Sequence, residues 1–392
     1  MDKSLNIKYI LSSVFYYGAM SSMMGFASVF LISKGFMNSH IGIVLAASNI
    51  IAAILQPAVA VLVDKSSSSK TNLILRILIG VIVILSLSLY VIPLSEILLV
   101  VLFSLVLALT ITLMPFINSL AFMFEKYGYK VNFGLARGLG SVSYAVTSMI
   151  LGNIVAHLNP SIIPLSYLIF SVLLYIVIKS YTVKEAKDEI VEEKVKQKDE
   201  VSLLEFFSKY KIFMIFLIGV VGAFFTHMLI NNFFIQVINN IGGDSGDMGN
   251  AIFVAAMVEL PIMMFFEKIN SKFKSSTIIK VSMFFFVLKH LLTYLAKNML
   301  VLYVAQFLQI FAYALFIPAS VYYVNEIVSE NDRVKGQSLV TTASVVAGVF
   351  ASLAGGVLLD NIGVKETLLI GVITTIIGFA ISLFTVSNKK SN

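Results

Sequence analysis

The feature that most constrains this chain is a recurrence of apolar stretches of about twenty residues or more, divided by short polar connections, from Tyr9 to the C-terminal end. A helix rises ~1.5 Å per residue, so each stretch is long enough to cross the ~30 Å of hydrocarbon in a bilayer. Twelve are predicted, over 9–33, 38–63, 72–94, 96–122, 134–158, 161–182, 211–238, 248–267, 275–296, 299–325, 337–359 and 365–386. Lipid offers peptide groups no hydrogen-bond partner, and these stretches are too long and too evenly apolar for barrel strands. The expected fold is therefore an all-α membrane protein. Hydrophobic residues make up 58% of the chain and charged residues 12%, a balance that a water-soluble core of 392 residues cannot use.

Lysine and arginine placement sets the expected orientation, because short cytoplasmic connections hold most of the positive charge. With the N-terminus inside, 24 of the 28 basic residues fall on the inner side. Lys34, Lys297 and Lys365 fall outside, and Lys289 within the membrane. Both termini are thus expected in the cytoplasm, and the net charge of +7 reads as a topology signal facing a membrane surface rather than nucleic acid. The first apolar stretch is too long for a cleavable leader and reads as the first transmembrane helix. Without cysteine there is no disulfide framework, thiol nucleophile or thiolate metal site, and four scattered histidines give no HxxxH pair. No cofactor, no metal and no enzymatic centre are expected. Nor does a GxxxxGK[ST] motif suggest nucleotide-driven pumping.

Between the sixth and seventh stretches, KEAKDEIVEEKVKQKDE (184–200) replaces hydrocarbon with charge of both signs. It marks a solvated cytoplasmic linker, over 184–208, between an N-terminal six-helix bundle (1–183) and a C-terminal one (209–392). The linker is expected to be a tether, partly helical where Glu and Lys fall four apart, or else a regulatory surface. The halves echo each other: QPAVAVLVDKSSSSK (56–70) and LPIMMFFEKINSKFK (260–274) each place a proline in mid-helix, then an acid, then lysines. Parallel repeats of this kind build carriers of the major facilitator type.

The resemblance extends to particular residues. In IGIVLAASNIIAAILQPAVAVLVDK (41–65), Gly42, Ile43, Ala46, Ala47, Gln56, Pro57, Asp64 and Lys65 match the spacing of the second helix and following loop of the lactose-permease branch of the major facilitator superfamily. NFGLARGLGS (132–141), MVELPIMMFF (257–266) and GQSLVTTASVVAGVFASLAGGVLLD (336–360) resemble the same superfamily in the same order. The resemblance implies twelve helices in two bundles, a solute site at the repeat interface, alternating access, and gating by Asp64 and Lys65 at the inner loop. It also implies a plasma (inner) membrane setting, consistent with a bacterial lysine-rich composition, and a monomer.

Arg137 is one of only three arginines against 25 lysines, so it stands where charge alone does not suffice. Its planar guanidinium grips paired oxygens as lysine cannot. Tyr144, seven residues on, projects in nearly the same direction. The resemblance implies that Arg137 hydrogen-bonds the solute while Tyr144 stacks on it; the alternative is an arginine reaching the cytoplasmic surface. On the same helix, Gly134, Gly138, Ser141, Ala145, Ser148 and Gly152 form a small-residue stripe suited to close packing. The permease arginine has a carboxylate partner near the end of the fourth helix; here Asn118 and Ser119 take that place and Glu125 lies nearer the loop.

In the second half, Glu259 and Lys289 lie at similar depth in hydrocarbon, where each charge costs at least ~2.5 kcal/mol. They read either as a structural pair or as binding and coupling groups. His227 falls where the permeases carry an aspartate, and Asn231 and Asn232 extend its polar surface. The permeases' proton-coupling triad corresponds to Gln306, Gln309 and Ala312, none of which exchanges protons. That leaves Glu259 and His227 as candidates for proton coupling and the glutamines as solute hydrogen-bonders. Pro318 is expected to permit a bend. The expected function is a secondary transporter of a small polar organic solute (a sugar, nucleoside or aromatic acid), with proton-coupled uptake. The alternatives are efflux of hydrophobic compounds or sugars, and lipid translocation.

Overall fold

The structure, a computed structural model, describes residues 3–64, 68–181 and 203–387. Among these the chain is helical throughout, with no strand. The first crossing is a broken one: α1 (Lys3–Met20) runs through a π-turn, Ser21–Gly25, into α2 (Ala27–Ser33), with a bend of 45°. There follow α3 (Asn38–Asp64), α4 (Ser68–Val91), α5 (Glu96–Lys126), α6 (Phe133–His157) and α7 (Ile162–Lys179). Past the linker come the short α8 (Leu203–Lys209), α9 (Lys211–Asn232), α10 (Phe234–Asn239), α11 (Ser245–Asn270), α12 (Ser275–Leu295), α13 (Met299–Phe307), α14 (Tyr313–Ile327) and α15 (Arg333–Thr385).

Ten of these helices, or helix runs, are long and apolar enough to cross a membrane, and eleven if the bent first pair is counted as one span. The shortfall from twelve falls on α15, whose 53 residues would run ~80 Å if straight. Gly363, at φ 82° and ψ 179°, leaves the helical conformation between the predicted stretches 337–359 and 365–386. That backbone position suits a residue without a Cβ.

The chain divides into two compact units. One comprises Met1–Asp188 with Gly243–Met257, the other Glu189–Gly242 with Val258–Asn392. In the first, α1 packs on α6 and α7, α3 on α5, and α4 on α5 and α7. In the second, α9 lies along α15, and α12 packs on α14 and α15. Small residues permit the closest approaches: a Cβ at Gly378 would collide with the carbonyl oxygen of Gly219, so α9 and α15 touch backbone to backbone there. The stripe on α6 divides. Ala145, Ser148 and Gly152 are buried, and Gly152 lies against Ser245 and Gly249, whereas Gly138 faces open space.

Pro57, Pro115, Pro261 and Pro318 all sit inside helices. The interruption expected at Pro318 falls earlier, at the 3₁₀ turn Leu308–Ile310 and the non-helical Ala312. Residues 184–202 and Lys65 lie outside the described residues, as does the side chain of Asp64, and with them lie the expected tether and the expected inner gate. Where the chain resumes, α8 ends in an anchored contact. Lys209 Nζ, Tyr210 OH and Ser329 Oγ all donate to Asp332 Oδ2, at 2.9, 2.9 and 2.8 Å. Asp332 lies in the 3₁₀ turn ahead of α15, between the predicted crossings 299–325 and 337–359.

Candidate functional site

Three helical segments of the second unit bring the predicted polar residues together. Lys289 sits in the middle of α12, 1% exposed. Glu259 comes from α11, and Gln309 from the 3₁₀ turn that interrupts the run from α13 to α14. Gln309 Nε2 donates to Glu259 Oε1 at 2.8 Å, while Gln309 Oε1 accepts from Lys289 Nζ. Glu259 and Lys289 are thus linked through an amide, whose donor end faces the carboxylate and whose acceptor end faces the ammonium. A continuous helix would hold Gln309 in register with its turn, and the 3₁₀ segment changes that register locally. Gln306, also buried, leaves its Nε2 without a partner.

A second polar cluster joins α9, α12 and α15. His227 is buried, with Asn231 Nδ2 donating to its Nε2 at 3.2 Å. The other ring nitrogen, Nδ1, has no partner. His227 stacks on Tyr313 at 5.1 Å and 24°, and lies 6.4 Å from the ring of His290. His290 is fully buried, its Nδ1 2.8 Å from Thr375 Oγ1 and its Nε2 without a partner. Thr226 and Thr375 complete the cluster, 2.9 Å apart. Sequence reading missed His290; its signal was a second ionisable residue beside Lys289 in the same apolar stretch. Asn231 is exposed, and Asn232 bonds Ser352 at 2.9 Å.

In the first unit, Asn132 caps α6 by accepting from Leu135 N at 2.9 Å, which fixes the helix start and places Arg137 in its second turn. The guanidinium does not extend toward the helix end. Its Cζ lies 4.5 Å from the centroid of the Tyr17 ring, and Nη1 donates to Ser141 Oγ at 2.8 Å. Tyr17 can lie there because Gly140 has no Cβ to displace its ring. The result is a flat cationic face backed by an aromatic one, worth ~0.5–2 kcal/mol as a cation–π pair. Tyr17 was not singled out in the sequence, although the Tyr16–Tyr17 pair in the first crossing was visible.

The other first-unit residues are dispersed. Tyr144 places its hydroxyl near Gly25 in the π-turn, 3.4 Å from where a Cβ would stand. Asn118 is half-buried, its carbonyl accepting from Tyr9 OH at 3.4 Å. Ser119 turns back on the Phe116 carbonyl, and Glu125 is exposed near the end of α5 rather than paired with Arg137. Among the described residues, no group of three or more His, Cys, Asp or Glu side chains is arranged to hold a metal.

Apolar membrane-length helices, with polar and ionisable side chains set among them in both units, define the chain as a multi-pass membrane protein. It belongs to the MFS_1 like family, whose profile matches residues 5–370. The chain is 27% identical over 184 residues to the uncharacterized transporter YwbF of Bacillus subtilis (strain 168), a match covering 46% of each protein and so about half of that relative's length. Its fold is similar to a crystal structure of the nucleoside transporter NupG, at 13% identity and TM-score 0.81, over 98% of this chain and 100% of that one. A bacterial homolog of the human lysosomal transporter Spinster follows at 11% identity and 0.68, over 99% and 98%. A POT family peptide transporter stands at 10% and 0.67, over 97% and 95%. At these identities the likeness to solved structures is one of fold.

Proposed function

We propose that the protein takes up a small polar organic solute together with a proton, by alternating access of two six-helix bundles, 1–183 and 209–392, joined by the 184–208 linker. Dividing α15 at Gly363 gives the twelfth crossing, and both termini then lie in the cytoplasm of a bacterial plasma membrane. The protein acts as a monomer. The observation that carries this reading is the chain from buried Lys289 through buried Gln309 to half-buried Glu259. An acid and an ammonium inside hydrocarbon cost several kcal/mol, which is sustained where they serve a solute or an ion path.

Glu259 is the proton carrier of this reading, with His227 as the second candidate. Arg137, held flat on Tyr17, offers the solute guanidinium donors, and Tyr144, Asn118, Asn231, Gln306 and Gln309 add hydrogen bonds. Asp64 and Lys65 gate the inner side. Nucleosides are the first solutes to test, because their base and ribose suit a planar cation and amide donors, and because NupG is by name a nucleoside transporter. Uptake of labelled nucleosides and sugars into proteoliposomes, with and without an inward proton gradient, tests the reading. Wild-type protein should accumulate one of these solutes only with the gradient, and Glu259→Gln should abolish accumulation while leaving solute exchange. Equal accumulation by Glu259→Gln would remove Glu259 from coupling, and no uptake of either class would end the proposal.

A further inference from the structure

Four lysines fall off the inner side in the charge count, and each needs a reason, since short outer connections normally carry few. Lys34 lies over the Phe30 ring at 5.4 Å, and Lys289 belongs to the glutamine-bridged chain. The remaining two, Lys297 and Lys365, are 68 residues apart in sequence, yet they line one cavity. Its volume is about 380 Å³, within the range of small-ligand sites. It opens at the end of the second unit that the charge count places outside.

The chemistry of the lining is consistent. Asn240, Thr293 and Tyr294 contribute polar groups, and Leu295 and Leu368 apolar ones. The two lysines are the only charged residues in it. Both are exposed, and neither has a hydrogen-bond or ion-pair partner among the described residues. Glu366, next to Lys365, does not line the cavity; its carboxylate lies near Gly363, 3.7 Å from where a Cβ would stand. Local helix structure does not explain the two cations, because Lys297 precedes the Asn298 cap of α13 and Lys365 opens the helical turn after Gly363. A cation at the start of a helix is disfavoured by the helix dipole. Two uncompensated ammonium groups on one concave surface raise the local potential and attract an anion.

We infer that this cavity binds a phosphate group, whose several acceptor oxygens can engage both ammonium groups at once. The phosphate is carried either by an anionic lipid headgroup, with Leu295, 53% exposed, beside its chains, or by a soluble ion.

The test is thermal unfolding of the purified full chain in neutral detergent, titrated separately with short-chain phosphatidylglycerol, phosphatidylcholine of the same chain length, and inorganic phosphate. Ligands that bind only the folded state raise Tm. Each lysine near an anionic surface contributes enough that losing both should raise the half-maximal ligand concentration at least about tenfold. The Lys297→Gln/Lys365→Gln double variant should show that rise, and Lys297→Arg/Lys365→Arg should keep the wild-type response. A wild-type shift with phosphatidylglycerol alone supports a lipid headgroup, and one with inorganic phosphate supports a soluble anion. No shift with either overturns the inference. So does an equal shift with phosphatidylcholine, or an unchanged response in the glutamine variant.

Discussion

At the scale of single residues, Gln309 has the most consequential position, because it satisfies a buried cation and a half-buried acid with one uncharged group. Removing one partner from a buried polar network leaves the others unsatisfied, at about 1–3 kcal/mol for each neutral group and more for a charge. Gln309→Leu keeps the approximate volume and deletes both hydrogen bonds, so it should destabilise the protein by several degrees in Tm. Adding Lys289→Met should restore part of the loss, since the unpaired ammonium is then gone. Thermal unfolding of the single and double variants checks this, and a double variant less stable than either single one would show that Gln309 does not serve Lys289. The same residue shows where sequence reading stopped. Glu259 and Lys289 stand out because charge in an apolar stretch is costly, whereas a glutamine carries no such signal and its bridging role emerges only once the turn has set its direction. His290 and Tyr17 were missed for a related reason: each depends on a neighbour remote in sequence, Thr375 or Arg137.

At the scale of elements, the apolar stretches were legible because length and hydropathy set a membrane helix, but the interruptions inside them were not. The π-turn at Ser21–Gly25, the 3₁₀ turn at Leu308–Ile310 and the divided stripe on α6 all depend on which face a neighbouring helix covers. The anchoring of α8 was equally hidden. Asp332 is nearly inaccessible, its side chain 2% exposed, while that of Lys209 is 45% exposed. Burial pushes the Asp332 carboxyl up, but hydrogen bonds from Lys209, Ser329 and Tyr210 outweigh it and hold the group below the ordinary carboxylate value. A depressed folded value adds stability above the unfolded value of ~3.9, and that stability is lost as pH falls through the folded value. Asp332→Asn should therefore lower stability by about 1–3 kcal/mol at pH 7, with the deficit constant from pH 8 to 5 and shrinking below pH 4. Denaturation at several pH values checks this, and a deficit that grew on acidification would contradict the assigned sign.

At the scale of the whole molecule, the orientation in the membrane rests on the lysine and arginine distribution, and the proposed phosphate cavity takes its outward placement from the same count. The chain has no cysteine, so a single introduced thiol is a unique reporter. Lys272, in the connection between α11 and α12, is exposed, as are Lys297 and Lys365. In intact cells, a membrane-impermeant maleimide should label Lys297→Cys and Lys365→Cys and leave Lys272→Cys unmodified until the membrane is permeabilised. Connections on opposite ends of one helix cannot share a side, and α12 runs from Ser275 to Leu295 between Lys272 and Lys297, so the two labels must separate if α12 spans the bilayer. The reverse pattern would invert the topology, turn the lysine-lined cavity toward the cytoplasm, and leave the distribution of 28 basic residues opposed to the charge rule that predicts it. Labelling of all three sites without permeabilisation would show that α12 does not cross, and would remove Lys289 from the membrane interior on which the proposed coupling depends.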